Sequence, residues 1–239
     1  QKEVRSFCKK LESILLLSGY GSVKIVYGDL NKHSIAWNSY PDGGIRMIEE
    51  LSITKHYKLD SKIIKALGEK LKLINSFPFD SRTVESGSEH LKIAFERYYL
   101  ALFKSDSMPS RITNAITCLE ALLLTESERH ELTHKLSQRA SKVFSLLNQF
   151  PILRVNSLIK RMYDIRSRYI HGSVNSNYNV KESEFDLLLE LCRSILEFFI
   201  YSSNTIAKDK LIKQIDVAIL DRDGEKSLRD SINSVSKFL

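Results

Sequence analysis

The sequence predicts a mainly helical protein. A helical bundle is expected over about residues 88–202. It is preceded by a small α+β or irregular helical module over residues 1–80 and followed by a helical tail over residues 203–239. Three observations carry this expectation. Apolar residues recur at three- and four-residue spacing through successive segments after residue 88. Breaks rich in Pro, Gly and Ser divide them into lengths of about 15 to 20 residues, and short connections favour neighbouring antiparallel helices. The chain of 239 residues holds only 9 Gly and 4 Pro, so such breaks are few.

The first helical pattern joins Val4, Phe7, Cys8, Leu11, Ile14, Leu15 and Leu17, and stops at Ser18-Gly19-Tyr20-Gly21. Val23–Tyr27 reads as a short strand or an apolar segment of open type, and Ser34–Trp37 is a second apolar segment. Tyr40-Pro41-Asp42-Gly43-Gly44 is the strongest turn signal in the chain. Ile45–Leu51 fits strand or helix, and Leu59–Phe77 fits a helix with Ile63, Ile64, Leu67, Leu71 and Ile74 on one side.

The bundle begins at Ser88. Its first helix carries Leu91, Ile93, Ala94, Tyr98, Leu102 and Phe103 and stops before Ser107-Met108-Pro109-Ser110. A second is expected over Arg111–Leu124 and a third over Ser127–Asn148, broken by Pro151. A fourth, Val155–His171, ends at Gly172, a natural terminator. After a polar loop, Ser173–Val180, comes a long apolar helix over Ser183–Ser202. The tail offers a helix over Ile206–Leu220, a turn at Asp221–Gly224 and a last short helix to Phe238.

Composition narrows the functional class. Hydrophobic residues make up 43% of the chain and charged residues 27%, which excludes disordered, collagenous and low-complexity proteins. No apolar run nears the roughly 20 residues of a membrane span, so no membrane partner is expected. Cys8, Cys118 and Cys192 are odd in number and far apart in sequence. Neither a disulfide framework nor a thiolate metal site is expected, and a cytoplasmic setting fits. The first residue is Gln, so the chain is expected to be trimmed or a fragment, and no signal-peptide pattern opens it. The net charge of +7 is spread without a polybasic arm; it tolerates a polyanion without announcing one.

The candidate chemistry lies in Tyr163-Asp164-Ile165-Arg166-Ser167-Arg168-Tyr169-Ile170-His171-Gly172. Arg166 and His171 bracket four residues, and five helical steps set them about 140° and 7.5 Å apart. A histidine moves protons near neutral pH, and an arginine fork holds a phosphate and the charge developing on it. The pair suits RNA cleavage by the ribose 2′-hydroxyl once a tightened last turn or a second subunit brings it together. Another reading stays open: both residues suit a helix C-terminus, with His171-Gly172 as an ordinary cap.

Three blocks, Ser88–Tyr98, Ala115–Leu122 and Tyr163–Gly172, together resemble the HEPN superfamily and, within it, the Apea-like HEPN domains. The similarity covers about residues 88–202 and leaves residues 1–80 and the tail unexplained. It implies a four- to five-helix bundle that dimerises. Many relatives are metal-independent endoribonucleases in host defence, toxin–antitoxin pairs and RNA processing, with Arg-x4–6-His motifs meeting across the dimer. The family's arginine falls on Arg166 and its histidine on His171. Active members often carry Asn, Asp or His after the arginine, where this chain has Ser167. The resemblance therefore implies a nuclease cutting single-stranded RNA at a homodimer seam without a cofactor or metal, restrained by an antitoxin or other regulatory protein. A catalytically inactive RNA- or protein-binding scaffold is the alternative.

Other residues surround this core expectation. Arg166 and Arg168, with Lys160 and Arg161, form the only local basic cluster, and Tyr163 and Tyr169 lie among them, suited to base stacking or to a dimer seam. Glu120 interrupts an apolar helix and needs a cation; Arg139, on the next helix, is the expected partner, structural or supporting the site. The Apea-like domains also carry a glutamate in this block and often an arginine in the next. His130-Glu131-Leu132-Thr133-His134 formally matches the zinc-protease pattern H-E-x-x-H, but its place just after the polar Thr125–Glu128 favours a solvated helix face. Trp37 and Tyr40 suit local packing or a recognition surface in the first module.

Overall fold

The computed structural model describes residues 10, 11, 13–17, 61–72, 89–103, 107–172 and 179–235. Among the described residues the protein is mainly helical and contains no strand. The helices are α1 (Ser61–Lys72), α2 (Glu89–Phe103), α3 (Met108–Leu123), α4 (Leu132–Asn148), α5 (Ile152–Ile170), α6 (Glu182–Ser202), α7 (Lys208–Leu220) and α8 (Arg222–Val235). Residues 13–17 are also helical. The segments expected at 23–27, 34–37, 40–44 and 45–51, with Trp37 and Tyr40, lie outside the described residues, as do Cys8 and positions 173–178 of the polar loop. No helix among the described residues is long and apolar enough to cross a membrane.

Helix α3 shows how the sequence builds the bundle. Ser107 accepts from the Ser110 N–H at 3.4 Å, and Pro109 occupies the first turn, where its missing N–H has no intrahelical acceptor. Ile112, Ala115, Ile116, Leu119, Leu122 and Leu123 are then fully buried. Each large apolar side chain so buried is worth about 1.5–3 kcal/mol. This stripe packs α3 against α2, α5 and α6, while α4 and α5 form a hairpin closed by residues 149–151.

Helix α6 is the centre. From Leu191 to Ser202 every described side chain but Arg193 is buried, as fits a helix surrounded on all sides. It meets α2, α3, α4, α5 and α8, and Ile14, Leu17 and Leu67 join the same apolar core. The charge in this run is Glu197, only 2% exposed, which receives Lys70 of α1 and Arg193 at 2.9 Å. Arg193 also donates to the carbonyl of Leu17 at 3.1 Å. Burial pushes the Glu197 carboxyl up, and Lys70 and Arg193 oppose that shift. The earliest described segments are thus tied to α6 by paired charge as well as by apolar contact.

Several expected boundaries are corrected. The helices expected from Arg111 and Val155 start three residues earlier, at Met108 and Ile152, so Met108-Pro109-Ser110 is the first turn of α3 rather than a break. The third bundle helix starts at Leu132 rather than near Ser127, because Glu128 spends its carboxylate on the backbone N–H of Thr125 at 2.8 Å and on Arg139. The turn expected at Asp221–Gly224 is a corner at Asp221, whose side chain accepts from the Gly224 N–H at 3.1 Å and starts α8. Gly224 lies inside that helix. A Cβ there would stand 2.6 Å from Val217 Cγ1 and 2.8 Å from the Val217 carbonyl carbon. Gly224 is the close contact between α7 and α8. We expect Gly224→Ala to destabilise the protein by about 1–3 kcal/mol through overpacking, read from urea unfolding midpoints. An unchanged midpoint would contradict the close packing.

Candidate functional site

Helix α5 carries the expected motif and ends where the sequence stops it. The backbone N–H of His171 donates to Ser167 O at 3.1 Å, and the Gly172 N–H donates to Tyr169 O at 3.2 Å. Gly172 takes φ +73, the left-handed conformation that glycine adopts without a Cβ penalty. His171 is exposed at the helix end, beside Tyr169 and Ile170, which are 43% and 53% exposed.

Arg166 turns into the protein. Its Nη2 donates to Glu120 Oε2 at 3.1 Å, joining α5 to α3, and its Cζ lies 5.3 Å from the ring centre of Tyr163. The Tyr163 phenol interacts with both Glu120 and Thr133, so the first turn of α4 closes the cluster. Among the described residues no hydrogen bond joins Arg166 to His171. Its Nε is buried and has no hydrogen-bond partner there, which leaves one edge of the fork unused.

Glu120 is held against two opposing forces. It stands in the last turn of α3, where the helix dipole disfavours a carboxylate, and its side chain is 16% exposed. Burial pushes its carboxyl above the usual range, with Arg166 and Tyr163 acting in the other direction. Nothing in the packing of α3 asks for a carboxylate there; its structural work is to hold Arg166.

The expected pairing of Glu120 with Arg139 is not formed. Arg139, 5% exposed, instead donates to Asp216 at 2.6 and 2.7 Å, to Glu128 at 2.9 Å twice and to Leu123 O at 2.8 Å. All five of its N–H donors are used, whereas Arg166 shows one protein acceptor among the described residues. Burial pushes Glu128 up, but Arg139, the Thr125 N–H and Lys135 outweigh it and hold the carboxyl at about 2.

The remaining candidates divide. Arg168 pairs with Asp164 at 2.6 Å, and Arg161 with Glu184 and the carbonyl of Asn179. Lys160 is exposed and Ser167 half-buried. The structure therefore gathers Glu120, Tyr163 and Arg166, adds Thr133, and leaves the other basic side chains along the outer face of α5. The H-E-x-x-H match loses its geometric basis, since His130 precedes α4 and Glu131 takes φ 55 at its start. No protein-family model, no curated protein and no solved structure matches the chain.

The two arginines should separate by stability. Arg139→Met strands two carboxylates and a carbonyl and is expected to cost about 3–5 kcal/mol. Arg166→Met is expected to cost about 1–2 kcal/mol, because its side chain has only one ion-pair partner and some solvent access. Chemical unfolding of both variants checks the ranking, and equal losses would contradict it.

Proposed function

We propose that this chain is a HEPN-like endoribonuclease that cuts single-stranded RNA without a metal, at a seam between two copies. The observation that supports it best is Arg166: a guanidinium anchored by Glu120, with a buried Nε–H that meets no acceptor among the described residues, five residues before the exposed His171. The resemblance of the three sequence blocks points the same way. In this reading the exposed end of α5, with Tyr169, Ile170 and His171, meets its counterpart in a second copy, and the two sets form one groove.

The reaction needs no outside reagent. His171 takes the proton from the ribose 2′-hydroxyl, whose oxygen forms a bond to phosphorus. The P–O5′ bond breaks, and the departing 5′-oxygen receives a proton from a histidinium, which the second copy supplies. The products are a 2′,3′-cyclic phosphate and a 5′-hydroxyl. Arg166 binds the phosphoryl oxygens and stabilises the charge of the pentacoordinate transition state. Ser167 orients the phosphate, Tyr163 or Tyr169 stacks on a base, and Lys160, Arg161 and Arg168 line the path of the strand. The setting would be defence or toxin–antitoxin control, in the cytoplasm, under a regulatory protein.

A second reading, an inactive scaffold that binds RNA or protein through the same seam, has its own observation: Arg161, Arg166 and Arg168 each already hold a carboxylate. One experiment separates the two. Single-stranded RNA is incubated with the protein in EDTA, beside Arg166→Ala, His171→Ala and Ser167→Ala, and melting temperatures are taken on the same samples. The nuclease reading expects cyclic-phosphate products and losses of roughly 10²-fold or more for the first two variants, with retained folding. Ser167→Ala should lose far less. Binding without cutting in every sample supports the scaffold, and a fully active double variant of Arg166 and His171 removes the mechanism.

A further inference from the structure

The last turn of α3, which carries Glu120, is closed by side chains of other helices. The Leu124 N–H returns to Glu120 O at 3.0 Å, an ordinary helix ending. The next carbonyl, Ala121 O, accepts from Lys208 Nζ at 2.7 Å, and Leu123 O accepts from Arg139 at 2.8 Å. Lys208 is the first residue of α7, and Arg139 is itself gripped by Asp216 of α7 through two hydrogen bonds. Two cations thus supply what a glycine cap usually does, and both depend on one tail helix.

From this we infer that Lys208 and Asp216 are positioning residues for the site: α7 clamps the last turn of α3 and so fixes Glu120 where it holds Arg166. The inference rests on the nuclease reading for its kinetic consequence but on geometry for its structural one. The path is contiguous. Lys208 grips the carbonyl of the residue directly after Glu120, and Asp216 aligns the arginine that grips Leu123 three residues on. The tail, which the sequence resemblance leaves unexplained, becomes a part of the catalytic scaffold. Loss of either grip lets the end of α3 shift, and a small displacement of Glu120 moves the guanidinium away from the phosphate it must meet.

The pair of grips also explains why the residue types are what they are. Lys208 is half-buried, and burial pushes its ammonium down while Asp209, Glu126 and Glu128 oppose the shift. An ammonium in that position can satisfy a helix-end carbonyl and favour the negative end of the α3 dipole at once. An apolar side chain of similar length fills the space but does neither.

The experiment uses the full chain with Lys208→Met, Asp216→Asn and the conservative Lys208→Arg. Two readouts are taken: the Arg166 Nε–Hε resonance in a proton–nitrogen spectrum, assigned with Arg166→Lys, and the kinetics of cutting a single-stranded oligoribonucleotide. Lys208→Met and Asp216→Asn are expected to move the resonance and lower kcat by about tenfold or more. KM should stay within about threefold, since neither side chain touches the strand. Lys208→Arg should restore both readouts. An unmoved resonance and unchanged kcat in folded Lys208→Met overturn the inference, as does a lower melting temperature with kcat per folded molecule unchanged. Should Asp216→Asn unfold, Lys208→Met decides alone. Should the parent not cut RNA, the nuclease reading falls and the resonance decides the clamp.

Discussion

Arg139 is the interaction on which the rest depends. Its five donors reach three stretches of chain: the end of α3 at Leu123, the following loop at Glu128, and α7 at Asp216. An arginine buried this deeply would be a severe liability with any of these partners missing, because a desolvated guanidinium has no water to fall back on. With all of them present it fixes where α3 stops, how the chain travels to α4, and how the tail returns against the bundle. Lys70, Glu197 and Arg193 do similar work between the earliest described segments and α6.

Against that saturated arginine, Arg166 stands out by what it leaves undone. Its Glu120 partner is disfavoured by burial and by the helix end it sits on, and its Nε faces no acceptor among the described residues. A fold selected for stability alone would replace the pair with apolar residues, at little or no loss. Polar groups held at such a cost are a feature of sites whose electrostatics are preorganised for a ligand. The position adds to this, for Arg166 lies on the helix whose exposed end carries Tyr169, Ile170 and His171.

Helix existence was legible in the sequence because apolar periodicity and burial are the same fact seen twice. Leu132, Leu136, Ala140, Val143, Phe144 and Leu147 read as one face of α4; the middle four are buried and Leu132 and Leu147, toward the helix ends, are half-buried. The stop at Gly172 was equally legible, since the left-handed terminator needs that residue. Partnerships between helices were not. The sequence pairs Glu120 with Arg139, but its true partner, Arg166, lies 46 residues on, while Arg139 reaches 77 residues to Asp216. The choice depends on how far α4 and α5 are rotated about their axes relative to α3, and a single-helix pattern holds no such information. Asp221–Gly224 misled for a related reason: the Asp and Gly that mark turns serve here as a helix cap and as a close approach to Val217.

In the proposed nuclease, Glu120 and Arg166 act as one unit whose purpose lies in the reaction rather than in the fold. A double-mutant cycle with Glu120→Gln and Arg166→Lys, followed both by RNA cleavage and by unfolding free energy, tests it most directly. Strongly non-additive losses in cleavage are expected, with a coupling of about 1.5 kcal/mol or more, beside a coupling in stability below about 0.5 kcal/mol. Additive effects on cleavage, or a coupling that appears only in stability, would contradict it.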